Sequence, residues 1–405
     1  MARPRKPAAM PHTKPAAMAP ASTPLMLVAC CAFASMASMR ICDAMLPALA
    51  TEFDASTGRS AQTISAFALA YGVLQLFYGP LGDRYGKVRV IGWATLACTF
   101  GSIVASLAPT LDMLIMGRIL SGAAAAGIIP LTMAWIGDTV AYDERQAVLA
   151  QLLGATVFGM ISGQWLGGLL ADTWGWRTAF IALTLAFAFT GGLLLVRGDH
   201  GMACTTQRGV KGLVRGLRDV VGVPWARKIL IITAIEGALG FSALAFIPHD
   251  LHVRFGLSMP RAGALVALYG LGGLIYSRTA RGLLRRLGEP GLARLGGLAT
   301  AVAFGSIAGA PSWHWVAFAS LLAGFGFYAL HNTLQTNATQ MAPGARGTAV
   351  SLFACCLFIG QSIGVTTAAW VVDGWSAPVV FVSAGVGLLV LGFGFAFVLQ
   401  GRGRP

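Results

Sequence analysis

Apolar residues in this chain come in long runs, separated by short polar or basic segments. A hydrocarbon core of about 30 Å takes roughly 20 apolar residues of helix. Twelve runs approach that length: 25–48, 61–81, 88–108, 113–136, 147–170, 178–196, 229–248, 262–277, 291–310, 315–338, 348–371 and 377–399. The eighth is short and interrupted by glycine. The pattern predicts an all-α membrane protein with twelve transmembrane helices.

Composition sharpens that reading. Charged residues make up 11% of the chain, against about a quarter in an average soluble domain, and the mean hydropathy is +0.71. Both exclude an ordinary soluble enzyme. Glycine supplies 52 of 405 residues, and small residues let helices approach closely in lipid. The net charge of +14 could suit a nucleic acid, but the basic residues sit in short clusters between apolar runs, so no nucleic-acid partner is expected. Seven cysteines carry no CxxC pair; six lie in apolar runs and Cys204 in a basic stretch. That gives neither a disulfide framework nor a metal site.

The basic residues instead predict topology. With the N-terminus inside, 23 of the 29 Lys and Arg fall inside and four outside (Arg59, Arg177, Arg254 and Arg261), while Arg40 and Arg118 lie within spans. Both termini are expected in the cytoplasm, in a plasma membrane such as a bacterial inner membrane. Residues 1–24, rich in Pro and Ala with four bases and no acid, read as a disordered cytoplasmic tail. Residues 400–405 form a second tail. The first run is too long, and followed by too many others, for a cleaved signal peptide.

The chain repeats internally. Arg145, Gly159, Gly163, Asp172, Trp174 and Phe180 recur 201 residues later as Arg346, Gly360, Gly364, Asp373, Trp375 and Phe381. Gly122 recurs 202 residues later as Gly324. Two six-helix halves, 25–196 and 229–399, joined by a basic linker at 197–228 and related by a pseudo-two-fold axis, account for this. Such halves place a substrate site at their interface near the midplane.

Three constellations carry candidate chemistry. The loop Gly79-Pro-Leu-Gly-Asp83-Arg84-Tyr-Gly86-Lys87-Val-Arg89 is a glycine-bounded turn with one acid among three bases. It can act as a latch, with Asp83 at a helix N-terminus, where an anion is favoured, and Arg84 paired to an acid such as Asp138. In span five, Gly159, Gly163 and Gly167 share one face that permits close helix contact. Third, few ionisable groups lie at membrane depth, where each is a functional hypothesis: Arg40 and Asp43 three apart, Arg118, Glu236 and His331.

At 1.5 Å per residue, Arg40 and Arg118 lie at similar depths, so Asp43 could bridge both. Glu236 lies near the midplane with no cation within four residues on its helix, and is the expected main proton carrier. Asp43, Arg40 and Arg118 form the coupled charge group. His331 falls close to the inner surface and ranks lower. Tyr71, Gln75, Gln164, Trp165, Tyr269, Tyr328, Asn332 and Gln361 are candidate cavity-lining residues.

The loop 79–89 resembles the signature loop of the major facilitator superfamily. Arg118 with the small residues to Gly127 resembles its fourth-span motif. Gly154, Gly159, Gly163, Gln164, Gly167 and Gly168 resemble the span-five motif of its twelve-span drug:proton antiporter-like branch, except that Gln164 stands where that motif usually has Pro. The resemblance implies a secondary active transporter: proton-coupled efflux of small organic molecules by alternating access, acting as a monomer in the bilayer without a cofactor or metal. An importer with the same fold, or a non-transporting sensor, are the alternatives. An enzyme is not expected, because no P-loop, HExxH or clustered nucleophile is present.

Overall fold

The computed structural model describes residues 22–198 and 210–402. The N-terminal tail to residue 21, most of the linker's first half (199–209) and the last three residues lie outside them. Among the described residues every regular element is helical. The N-terminal half comprises α1 (Ser22–Arg40), α2 (Leu46–Glu52), α3 (Thr57–Ser60), α4 (Gln62–Tyr85), α5 (Lys87–Ser106), α6 (Leu111–Ala125), α7 (Ile128–Thr139), α8 (Tyr142–Thr173) and α9 (Trp176–Arg197). A linker helix, α10 (Val210–Gly222), precedes α11 (Pro224–Phe255), α12 (Met259–Ala308), α13 (Trp313–Gln340), α14 (Arg346–Gly374) and α15 (Ala377–Arg402).

Among the described residues ten helical stretches are long and apolar enough to cross a membrane. One of them, the 50-residue α12, reverses at Gly288 (φ 64°, ψ 178°), a left-handed conformation that glycine adopts without steric cost. It therefore supplies two limbs, 259–287 and 289–308. With α1 and α2 as one further traverse, the architecture fits the twelve expected. The eighth span is not short. Its first limb continues through Arg278, Arg281 and Arg285, whose charge hid the helix from an apolar-run reading.

Two predicted continuous spans are broken. Span one breaks between Arg40 and Leu46, held by three-residue turns from Asp43 N to Arg40 O and from Met45 N to Cys42 O (both 3.2 Å). Pro47 accounts for the break: it lacks the N–H that would bond the Asp43 carbonyl, and its ring would clash with that carbonyl. Span four breaks between α6 and α7 in the same way, four residues before Pro130. There Tyr78 Oη donates to the Ala123 and Ala124 carbonyls (3.0 Å each).

The sequence repeat reappears in the packing. A Cβ on Gly159 would strike the Phe33 carbonyl, and one on Gly360 the Ala234 carbonyl. Gly163 lies on Ala37 and Gly364 on Ala238; Gly122 lies on Phe67 and Gly324 on Tyr269. In each pair the glycine and the residue it touches are displaced by the same 201 or 202 positions. The halves meet along two seams. Gly72 of α4 packs on Cys355 and Phe358 of α14, while Gly168 of α8 and Gly263 of α12 each pack on backbone across the second seam. A pseudo-two-fold axis exchanges one seam for the other. At the end expected to face outward, the Asp373 carboxylate on α14 accepts from Ser56 Oγ (2.6 Å) and Gly58 N (2.8 Å), joining the halves there.

Candidate functional site

The break in span one places Arg40 at the C-terminus of α1, where a cation is favoured, and Asp43 in the turn that follows. Both are buried; Arg40 Nη1 lies 3.1 Å from Asp43 Oδ2. Gln164 Nε2 from α8 donates to the same oxygen at 3.4 Å. Gln164 can reach it because Gly163 and Gly167 bring α8 onto α1 at Ala37 and Ile41. Asp43 does not bridge the two arginines as expected. Arg118 donates through Nε to the Thr63 carbonyl (3.1 Å) and through Nη1 to Ser38 Oγ (3.3 Å), and its guanidinium lies over the Phe67 ring at 4.2 Å. Arg118 Nη2 and Asp43 Oδ1 are buried without a hydrogen-bond partner.

In the C-terminal half, Glu236 is wholly buried and its Oε2 lies 3.0 Å from His331 Nδ1 on α13. The sequence reading gave Glu236 no cation within four residues on its own helix and ranked His331 low. The partner comes from a second helix: Glu236 and His331 each lie seven residues from the inner end of their apolar run (229 and 338), so the two side chains meet at one depth. The His331 ring stacks on Phe327 (5.5 Å, 10°) and tilts against Phe353 (5.3 Å). Glu236 Oε1 is buried and unpartnered.

Aromatic side chains connect the two polar groups across the interface. Arg40 lies over the Phe241 ring at 4.9 Å, Phe241 meets Phe327 at 5.3 Å, and Phe327 carries His331. Tyr269 and Tyr328 lie 6.3 Å apart, and Tyr269 is 5.9 Å from the Phe327 ring. The route from Asp43 to Glu236 therefore runs through Arg40, Phe241, Phe327 and His331. Phe241, Phe327 and Phe353 were missed because phenylalanine in an apolar run carries no distinguishing signal.

The remaining candidates divide. Tyr71 is buried with its ring 4.7 Å from Phe358 across the seam. Gln75 is buried and folds back onto the Gly72 carbonyl at 3.2 Å. Gln361 is buried with Oε1 unpartnered, and Asn332 is half-buried beside Tyr276. Trp165 is 44% exposed, on the same side of α8 as Phe158. Gly154 meets nothing within 4 Å and makes no close helix contact, unlike Gly159, Gly163, Gly167 and Gly168.

In the loop after α4, Gly86 alone separates two helices (φ 89°). Asp83 therefore lies in the last turn of α4, not at a helix N-terminus. Lys87, not Arg84, reaches Asp138: its Nζ lies 2.6 Å from Asp138 Oδ2 and 3.4 Å from Asp83 Oδ1. Arg84 stacks on Tyr85 instead. Gly79 meets nothing nearby, whereas a Cβ on Gly82 would strike Leu131. Arg89 has no partner described. Among the described residues no three metal-ligating side chains cluster.

Comparison with known proteins places this geometry. The family described as Major Facilitator Superfamily matches residues 28–365. An uncharacterized MFS-type transporter of Bacillus subtilis, YceJ, is 24% identical over 80% of this chain and 83% of its own. The multidrug export protein EmrB of Escherichia coli K12 is 26% identical over 44% of this chain and 34% of its own length. Among solved structures, the nucleoside transporter NupG superposes with a TM-score of 0.77 at 13% identity, covering 94% of this chain and 100% of that one. An inward-facing bacterial homologue of the human lysosomal transporter Spinster gives 0.75 at 16% identity, covering 95% and 98%.

Proposed function

The chain belongs to the Major Facilitator Superfamily, and on that premise we propose that it exports small organic molecules in exchange for protons by alternating access. The observation that carries the reading is the pair of buried acids, one in each half, joined across the interface by Arg40, Phe241, Phe327 and His331. A rocking motion of one half against the other changes the distance between them. Proton uptake at one acid and solute binding between them are thereby coupled. Glu236, with His331, is the proton carrier in this scheme; Asp43, Arg40, Arg118 and Gln164 form the group that responds to it. The aromatic interface suits amphipathic or neutral solutes.

Export is favoured over import by the span-five glycines and by the similarity to multidrug export proteins. The topology proposed is cytoplasmic termini in a bacterial plasma membrane, with a single chain as the working unit. The test is solute accumulation in cells with and without the protein, each with and without a protonophore. Lower accumulation that a protonophore abolishes is the expected result. Higher accumulation that it abolishes would establish the importer instead, and accumulation indifferent to both would leave neither form of transport standing.

A further inference from the structure

The linker helix α10 is unlike the spans it joins. At 100° per residue its residues separate into three faces. Gly216 and Val220 are buried, Gly216 close against the Thr348 side chain at the start of α14. Next to them lies an exposed apolar edge of Val214 (59% exposed) and Val221 (47%). Beyond that edge come Arg215 and Arg218, both exposed. Asp219 is the only acid on the helix.

The helix sits where the last span of one half ends and the first of the other begins. Exposed cations also lie at the ends of the spans it connects: Arg197 closes α9, and Arg227 and Lys228 lie in the first turns of α11. An apolar edge bordered by arginines, at the ends of membrane spans, is the arrangement of a helix lying in the plane of a bilayer surface. Its valines face the acyl boundary while the guanidiniums reach the phosphates. Clusters of four to eight Lys and Arg beside a span or on such a helix also favour anionic over zwitterionic lipid.

We propose that α10 is an interfacial helix that binds the headgroups of anionic phospholipids through Arg215 and Arg218, with Arg197, Arg227 and Lys228 adding to the same surface. This holds the linker on the leaflet surface while its buried face stays on α14. It requires no solute and no proton, so it stands or falls separately from the transport reading.

The experiment is amide hydrogen exchange of the full chain in nanodiscs. One set contains phosphatidylcholine alone; the other contains equal parts phosphatidylcholine and phosphatidylglycerol. Exchange at residues 213–221 should be about tenfold slower in the anionic discs at low salt, and high salt should remove the difference. Arg215→Gln/Arg218→Gln should remove it too, with unchanged exchange in α14. Both arginines are exposed, so the double variant should fold. The Val214→Ser/Val221→Ser variant should exchange faster in both disc types. Equal exchange in the two discs at low salt would overturn the proposal, as would a lipid-dependent difference that survives the double Gln substitution.

Discussion

The bond between the halves at the end proposed to face outward gives a prediction whose size follows from geometry. Asp373 accepts from Ser56 Oγ at 2.6 Å and from the Gly58 amide at 2.8 Å, both good distances for a charged acceptor. A hydrogen bond to a charged group contributes about 1.5–3 kcal/mol when buried. Asp373 is exposed, and exposed charged pairs contribute about 0–1 kcal/mol, so the two bonds together are worth roughly 1–2 kcal/mol. They exist only while the outward end is closed. Asp373→Ala should therefore raise the ratio of outward-open to closed molecules about 5- to 30-fold. Asp373→Asn should do less, since an amide oxygen still accepts from the Gly58 amide. The repeat supplies a control. Asp172 is the counterpart of Asp373, but Ser258, the counterpart of Ser56, makes no side-chain cap. Pro260, the counterpart of Gly58, has no N–H to donate. Asp172→Ala should leave the ratio unchanged. Spin labels at positions 51 and 375, one per half at the outward end, report the ratio as a long-distance component by pulsed electron resonance. If Asp373→Ala leaves that component unaltered while the protein stays folded, the bond is incidental to closure. An equal response to Asp172→Ala would show that it reports general loosening.

Three further outcomes are expected. Gly163→Leu would drive a side chain into the Ala37 backbone and should destabilise the protein by about 1–3 kcal/mol, whereas Gly154→Leu, in open surroundings, should melt in detergent within a degree or two of wild type. Lys87→Met removes both ion pairs of the loop after α4; insertion and melting should change little, while solute flux in proteoliposomes should fall several-fold if the pairs belong to the switch. Glu236→Gln should abolish substrate-induced proton release from purified protein; undiminished release, with loss in Asp43→Asn, would move the carrier role to Asp43.

Sequence alone showed the spans, the duplication and the packing glycines, because each rests on a local or periodic signal. Glycines at 159, 163 and 167 share a face whatever they meet, and the structure supplies only the partner, α1. The break in span one was also legible. Pro47 lies four residues after Asp43, and an internal proline frees the carbonyl four residues back; the apolar run simply drew the eye past it. What the sequence could not show is pairing between helices. Glu236 and His331 stand 95 residues apart, and no local or periodic signal says that their helices are neighbours. Apolar runs end where charge begins, but helices do not: α12 carries its arginines for nearly three more turns before Gly288 reverses it. Depths counted from the inner ends of the apolar runs, 229 and 338, put Glu236 and His331 level at seven residues each, but they do not say that the two helices are neighbours.

The same reasoning bears on the acids. From sequence, Asp43 was the paired acid and Glu236 the free one. In the structure each has one partnered and one unpartnered oxygen, so the presence of a partner does not distinguish them. The identity of the partner does. The guanidinium is a donor-only group, so Asp43 has a cation beside it at 3.1 Å. An imidazole carries two ring nitrogens, one of which can take up or release a proton, so the Glu236–His331 pair can pass a proton across its 3.0 Å contact without separating. A fixed ion pair resists a change of protonation, whereas an acid–imidazole pair accommodates one. That contrast, rather than isolation, is what makes Glu236 the stronger candidate carrier. It also predicts a split in the variants: His331→Gln should slow proton release while leaving its stoichiometry near wild type, because the Glu236 carboxyl remains. Loss of stoichiometry in His331→Gln would mean that the imidazole itself carries the proton.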